Sequence, residues 1–135
     1  IEFDLYIDDS FVYRQKADGL IINSPTGSTA YSLSGGGPIV HPNLDAITLL
    51  PMFPQRLNTS PLVVSGESKI TIIMTEKKNK SVLSMDSHNS LTLRKGDVIT
   101  ISKGKSNLML IHPQGHDFFE ACRNKLGWSS SLPNK

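Results

Sequence analysis

Short apolar runs separated by turn-forming residues recur along most of this chain, and their spacing constrains the fold more than any other feature of the sequence. The first run, IEFDLYI, alternates apolar and polar residues, which is the period of a half-buried strand. Stretches rich in Gly, Asn, Asp and Lys separate the later runs. Strands at this spacing predict a mainly β fold, a two-layer β-sandwich, rather than βαβ units. The predicted strands are residues 1–7, 11–14, 19–23, 46–50, 62–64, 70–74, 81–85, 90–93, 98–102 and 107–111.

Two segments depart from the strand pattern. Residues 28–34 are predicted to form one short helix after a Pro-Thr-Gly turn, and the charged loop 76–80 is expected to be a solvated hairpin tip. Residues 118–126, FFEACRNKL, have helical spacing and end before Gly127, a suitable residue for a helix C-terminus. We therefore expect one domain over residues 1–128 and a polar tail over 129–135.

Composition narrows the class of protein. With 38% hydrophobic and 19% charged residues the chain is typical of a soluble globular domain. A net charge of +2, spread along the chain, argues against nucleic acid or an anionic membrane as the main partner. The single cysteine, Cys122, fits a reducing cytoplasm. Because the chain starts with Ile1 inside an apparent strand, we expect it to be part of a longer protein.

The stretch PTGSTAYSLSGGGP, residues 25–38, is the strongest candidate for a binding site. Thr26, Ser28 or Thr29 could cap the start of the short helix, which would make the stretch purely structural. The same hydroxyls, backbone N–H groups and glycines could instead form a cradle for a ligand. A phosphate-binding P-loop is excluded because no Lys or Arg lies between Lys16 and Arg56.

The histidines and the cysteine give weaker signals. His112 and His116 are four residues apart, but the proline and glycine between them prevent a regular helix, so a zinc site is not expected. His88 lies in the turn-like sequence DSHN and is interpreted first as a polar loop residue. No serine occupies a G-x-S-x-G elbow, which disfavours a Ser-His-Asp hydrolase. Cys122 is expected to be a core residue.

Taken together, residues 18–42, DGLIINSPTGSTAYSLSGGGPIVHP, strongly resemble the signature of the NAD kinase family, the ATP/polyphosphate-NAD kinases. The resemblance extends through PMFPQR, MDSH, IHPQGHDFF and KLGW, and so covers nearly the whole chain. It implies the all-β C-terminal domain of a two-domain kinase that phosphorylates the 2′-hydroxyl of the adenosine ribose of NAD to give NADP. The implied donor is ATP or polyphosphate with a divalent metal such as Mg²⁺, and the implied partners are the enzyme's own N-terminal domain and further copies in a homo-oligomer.

The resemblance also implies roles for individual residues in binding NAD. Asp18 would bind the nicotinamide carboxamide, with Ser34 nearby, and His88 would lie close to the same end of NAD. Phe53 and Gln55 match pocket positions that a neighbouring subunit often supplies. The implied NAD-binding residues are Asp18, Thr26, Thr29, Ala30, Tyr31, Ser34, Phe53, Gln55 and His88, with Thr29 and Ala30 at the adenine and its ribose.

The family's GGDG and Asn-Glu motifs, which belong to its N-terminal α/β domain, do not occur in this sequence. The resemblance therefore implies no catalytic or metal-binding residue in this chain, which we expect to be inactive when isolated. Two alternatives stay open at this point. One is a related lipid or diacylglycerol-type kinase, and the other is a non-catalytic dinucleotide-binding and oligomerisation module.

Overall fold

Nine strands and two α-helices form most of the regular structure of the described residues. The computed structural model describes residues 1–56, 59–75, 81–106 and 108–127, in two units, Ile1–Gly104 and Lys105–Lys135. The first unit contains β1 Glu2–Ile7, β2 Ser10–Lys16, β3 Gly19–Asn23, a 3₁₀ turn Thr26–Thr29, α1 Tyr31–Ser34, β4 Ala46–Met52, β5 Leu62–Ser65, β6 Ile70–Met74, β7 Ser81–Met85, β8 Asn89–Leu93 and β9 Val98–Ile101. The second unit contains α2 Phe118–Leu126.

The strands of the first unit form antiparallel sheets around one core, as the sequence predicts. A four-stranded sheet has the order β2-β1-β6-β9, a three-stranded sheet has the order β3-β4-β5, and β7 pairs with β8. The alternating apolar residues of β1 and β6 point from the four-stranded sheet toward Leu49 of β4. The buried core cluster consists of Phe3, Leu5, Leu49, Ile70, Ile72 and Met74.

The polar side of β1 carries one buried charge. Asp4 is 7% exposed, and its two carboxylate oxygens accept hydrogen bonds from Nε and Nη2 of Arg14 on the neighbouring β2, at 2.6 and 2.7 Å. Because Asp4 and Arg14 are directly opposite in the ladder, the bidentate pair forms across the strands. This hydrogen bond, together with the arginine charge, lowers the pKa of Asp4 against the opposing effect of burial.

Strand β4 is longer than predicted because it continues through Pro51. Its pairing with β5 ends at Leu49 opposite Leu62, whereas its pairing with β3 continues to Met52 opposite Gly19. The Met52 carbonyl accepts a hydrogen bond from the Asp18 N–H, on the β3 side. The backbone groups of successive residues in a strand point to opposite edges, so those of Pro51 point away from β3, to the side where β5 has ended. The missing N–H of Pro51 therefore removes no hydrogen bond between strands.

The second unit corrects one prediction and confirms another. The predicted strand 107–111 is wrong for residues 108–111, which form no strand and are exposed, while Asn107 lies outside the described residues. A strand needs a partner, and α2 is the only regular element in the described part of this unit. The helix itself is confirmed, with Gly127 at φ 70° after its end. The loop 76–80 and the tail 129–135 lie outside the described residues.

Across the described ranges, none of the helices has the length and apolar content that crossing a membrane would require.

Candidate functional site

A cleft of about 350 Å³ lies where the end of β4, the start of β3 and the first residue of α1 meet. The cleft combines the carboxylate of Asp18 with the aromatic rings of Tyr31 and Phe53. These three residues come from the set that the sequence marks as ligand-binding. The residues that line the cleft are Asp18, Gly19, Leu20, Ile21, Tyr31, Met52 and Phe53.

Asp18 is held by its backbone and leaves its side chain free for a ligand. It follows β2 and precedes β3, and its N–H donates to the Met52 carbonyl at 2.9 Å. A second backbone hydrogen bond lies nearby in the chain, from the Gln55 N–H to the Lys16 carbonyl at 2.9 Å. The Asp18 side chain is exposed and makes no hydrogen bond with any residue that the structure describes. A fixed carboxylate with open acceptor sites can bind an N–H donor of a ligand.

The segment that carries Tyr31 forms two short helical turns instead of the one helix predicted over 28–34. The 3₁₀ turn Thr26–Thr29 ends at Ala30, whose non-helical backbone (φ −100°, ψ −133°) separates it from α1. Tyr31 begins α1 with its ring 69% exposed, while Ser28 and Ser32 are buried on the inner side of the segment. The local structure therefore presents the aromatic ring outward and buries the hydroxyls of Ser28 and Ser32.

The expected capping by Thr26, Ser28 or Thr29 is wrong, since neither helical turn has a side-chain cap. Pro25, which precedes the first turn, already has helical backbone angles. The hydroxyls of Ser28 and Thr29 therefore lie within the turn and donate to carbonyls three residues earlier in the chain. Ser28 Oγ donates to the Pro25 carbonyl at 2.6 Å and accepts from the Val40 N–H at 3.0 Å. Thr29 Oγ1 donates to the Thr26 carbonyl at 3.4 Å. Ser28 thus joins the segment to the chain that follows the glycines.

The triple glycine lets this segment lie directly against β4. A Cβ atom on Gly35 would lie 2.8 Å from Met52 Sδ, and one on Gly37 would lie 2.4 Å from Ser32 Oγ. Gly36 between them has φ +86°, a conformation that favours glycine. The glycines therefore bring the segment against the strand that ends at the cleft, where a larger residue would force it away.

Phe53 has the most unusual backbone of the cleft. It follows β4 with φ 44°, which bulky residues rarely adopt, and its ring is 76% exposed. A strained conformation that holds a large apolar ring in solvent beside a carboxylate is typical of a binding site. Phe53 lines the same cleft as Asp18.

The other predicted residues do not line the cleft. Thr26, Thr29, Ala30 and Ser34 are exposed along the segment that carries Tyr31, and Gln55 is exposed beyond Phe53. His88 lies in the loop between β7 and β8, where its Nδ1 is 2.6 Å from the Asp86 carbonyl oxygen. Because a carbonyl only accepts, Nδ1 carries a proton in this contact and donates it to the Asp86 carbonyl.

Four lining residues were not predicted from the sequence: Gly19, Leu20, Ile21 and Met52. The pairing of Gly19 with Met52 brings the start of β3 beside the end of β4. The only signal in the sequence was the placement of β3 directly after Asp18, which puts Gly19, Leu20 and Ile21 close to any ligand of that carboxylate.

No metal centre is formed by the residues in the described ranges, which contain no cluster of three or more His, Cys, Asp or Glu side chains. In the second unit the rings of His112 and His116 stack, with centroids 4.1 Å apart and planes at 3°. This geometry follows from the Pro-Gln-Gly turn that joins them, since the His116 N–H bonds the Pro113 carbonyl at 3.1 Å. Cys122 of α2 is buried, as expected.

Comparisons with known proteins agree with this geometry. The family model described as "ATP-NAD kinase C-terminal domain" matches residues 1–113. A protein of Teredinibacter turnerae named NAD kinase is 56% identical over 135 residues, which cover 99% of this chain and 46% of that protein. An NAD kinase of Alcanivorax borkumensis is 55% identical over 130 residues, covering 96% of this chain and 43% of the relative. The chain thus spans less than half the length of these relatives.

Solved structures give the same result for the fold. The crystal structure of yeast NADH kinase complexed with NADH has a TM-score of 0.81 and 32% identity, over 99% of this chain and 42% of the other. An NAD kinase from Archaeoglobus fulgidus in complex with ATP has a TM-score of 0.68 and 36% identity, over 77% of this chain and 39% of the other. On its sequence and its fold, the chain belongs to the ATP-NAD kinase C-terminal domain family.

Proposed function

We propose that this chain is the NAD-binding part of a kinase that transfers a phosphoryl group to the 2′-hydroxyl of the adenosine ribose of NAD, giving NADP. The observation that carries the proposal is the cleft in which Asp18, Tyr31 and Phe53 meet on a domain of this family. A carboxylate beside two exposed aromatic rings matches a ligand that has flat rings and amide N–H donors. The two relatives described above are named NAD kinases, and neither gives support to the lipid-kinase alternative.

Within the cleft, Asp18 accepts a hydrogen bond from the nicotinamide carboxamide, and Tyr31 and Phe53 contact flat rings. Ser34 is assigned to the nicotinamide end, near Asp18. Thr26, Thr29 and Ala30, which precede Tyr31, are assigned to the rest of the dinucleotide, with Thr29 and Ala30 at the adenine and its ribose. Small and hydroxylated side chains suit this role because they let a ring approach and satisfy ribose hydroxyls. His88 offers Nε2 near the nicotinamide end.

The phosphoryl donor is ATP or polyphosphate with a divalent metal such as Mg²⁺. Support for ATP comes from the homologous archaeal kinase, whose structure was solved in complex with ATP. The residues of this chain do not fit the metal, because the described parts hold no cluster of ligating side chains. We assign the metal, most donor contacts and the catalytic aspartate to the remaining part of the kinase, so that the isolated chain is inactive.

The partners follow from the same assignment. They are the N-terminal domain of the kinase and further copies of the subunit in a cytoplasmic homo-oligomer. Phe53 and Gln55 are assigned to pocket positions that a neighbouring copy often supplies, and Phe53 also lines the cleft of its own chain together with Asp18.

The test is an assay of NADP formation from NAD, ATP and Mg²⁺, by the full-length kinase and by residues 1–135 alone. We expect activity from the full-length protein and none from the isolated chain, while the isolated chain still binds NAD in calorimetry. Activity from residues 1–135 alone would contradict the placement of the chemistry outside this chain. An inactive full-length protein that binds NAD would instead favour the non-catalytic dinucleotide-binding module.

A further inference from the structure

Met52 is the one lining residue of the cleft that connects its two sides. It ends β4, pairs with Gly19 at the start of β3, and is partly exposed to the cleft. Its carbonyl accepts the Asp18 N–H at 2.9 Å, and the next residue along the chain is Phe53. The backbone of Met52 therefore positions both the carboxylate and one of the aromatic rings.

The side chain of Met52 is held by the segment that carries Tyr31. A Cβ atom on Gly35 would lie 2.8 Å from Met52 Sδ, 3.0 Å from Leu50 Cδ2 and 3.2 Å from Met52 Cε, so that the thioether is its closest neighbour. The absence of a side chain at Gly35 is therefore what leaves room for the thioether. Because Tyr31 precedes Gly35 by one turn of α1, the position of the thioether is coupled to the element that presents the tyrosine ring.

The chemistry of a thioether suits this place. Methionine is unbranched and polarizable, and its sulfur makes favourable contacts with aromatic rings. Gly19, directly opposite, adds no side chain over it. Among the lining side chains, Tyr31 and Phe53 offer rings at the exposed rim, and Asp18 supplies the polar contact. Met52 then provides an apolar surface between them on which a flat ring can lie.

We propose that Met52 is a specificity-determining residue, whose thioether forms the surface against which the nicotinamide ring of NAD lies while its carbonyl positions Asp18. The inference rests on the proposed function, because the ring is identified through the carboxamide assigned to Asp18. It predicts that the shape and polarity of residue 52 set the affinity for NAD and leave the chemical step unchanged, since a contact made equally in the ground and transition states changes KM alone.

The experiment compares the full-length kinase with its Met52→Ala, Met52→Gln and Met52→Leu variants in steady-state assays of NADP formation. We expect Met52→Ala and Met52→Gln to raise the KM for NAD by roughly 10-fold, with kcat and the KM for ATP changed by less than about twofold. Met52→Leu conserves volume and polarity and should stay within about threefold of wild type. Gln is similar in length to Met, so it tests polarity even if the alanine variant fails to fold.

Two further variants separate a cleft role from a general structural one. Met109→Ala is the matched control, because Met109 is 85% exposed and does not line the cleft. Gly35→Ala should raise the KM for NAD by displacing Met52 Sδ, and should do so much less in the Met52→Ala background, where that sulfur is absent.

A KM for NAD within about twofold of wild type in both Met52→Ala and Met52→Gln would overturn the inference and leave the proposed function intact. An equal effect of Gly35→Ala in both backgrounds would overturn the coupling between the two residues. A wild-type kinase that forms no NADP would instead overturn the proposed function, and the assignment of Met52 with it.

Discussion

Asp4 is a charged residue buried in the four-stranded sheet. It faces away from the apolar core of β1, yet it is nearly covered, and Arg14 satisfies both of its oxygens. A buried carboxylate without such a partner would be costly to fold, whereas the bidentate pair offsets its loss of water. The alternation of β1 predicted the side on which Asp4 lies but not its burial, because burial depends on the neighbouring strand.

This pair should make the stability of the chain depend on pH. Because Arg14 lowers the folded pKa of Asp4 below its unfolded value, the contribution is complete above about pH 4 and is lost as pH falls through the lower, folded pKa. Asp4→Asn should lower the midpoint of urea unfolding at neutral pH. The difference in midpoint between this variant and wild type should shrink as the pH falls to about 2 to 3. Asp9→Asn, which alters an exposed pair with Lys69, is the control and should change little. A difference that stays constant with pH would contradict this account.

Phe53 is the second residue whose conformation demands an explanation. Its positive φ and its exposed ring both cost free energy, and under the proposed function a contact with the ligand would offset that cost. The sequence predicted Phe53 as a site residue through family resemblance alone. Composition and periodicity could not do so, since a positive φ depends on how β4 ends.

Phe53→Gly should separate folding from binding. Glycine adopts a positive φ freely, so the free energy of unfolding should stay within about 1 kcal/mol of wild type. Affinity for NAD, measured by calorimetry, should fall about 10-fold or more because the ring is lost. Phe11→Ala removes another exposed ring, 57% exposed on β2, and should leave NAD affinity unchanged. Equal losses of affinity in both variants would argue against a specific role for Phe53.

At the scale of elements, the site depends on one segment packed against one strand. The 3₁₀ turn, α1 and the three glycines cover the outer face of β3 and β4, and their closest approaches are at Gly35 and Gly37. Residues 25–38 were predicted as either a structural helix start or a ligand cradle. In the structure, buried Ser28 and the glycines fix the segment without the expected caps, and Tyr31 is left exposed at the cleft.

The glycines should therefore differ in their tolerance of substitution. Gly37→Ala places a Cβ 2.4 Å from Ser32 Oγ and 2.9 Å from its carbonyl oxygen, and should destabilise the chain by about 1–3 kcal/mol. Gly36→Ala meets no atom within 4 Å and should cost only the strain of its positive φ, about 1 kcal/mol. Urea unfolding of the two variants tests whether Gly37→Ala loses more stability than Gly36→Ala. Gly96→Ala, at a similar φ of +88° and with open space around it, is the reference for backbone strain alone. A smaller loss at Gly37 than at Gly36 would contradict the close packing.

At the scale of the whole molecule, the strands were predictable and the cleft was only partly so. The predicted limits of β3, β6 and β7 agree with the structure because turn-forming residues flank each of them. The extension of β4 through Pro51 and the missing strand at 108–111 depend on which partner strand is present, and a single segment does not contain that information. Met52 lines the cleft because it pairs with Gly19, and no local sequence pattern specifies this long-range contact.

The strand order of the larger sheet also has a consequence for the time course of folding. β1 and β2 form a hairpin, but the other neighbour of β1 is β6, with Phe3 opposite Met74, and β6 in turn pairs with β9. The core around Phe3 therefore cannot close until most of the first unit has left the ribosome. Such non-local pairing is associated with folding in milliseconds to seconds. During synthesis, the apolar face of the β1–β2 hairpin must wait for strands made much later, and in that interval it is exposed to aggregation.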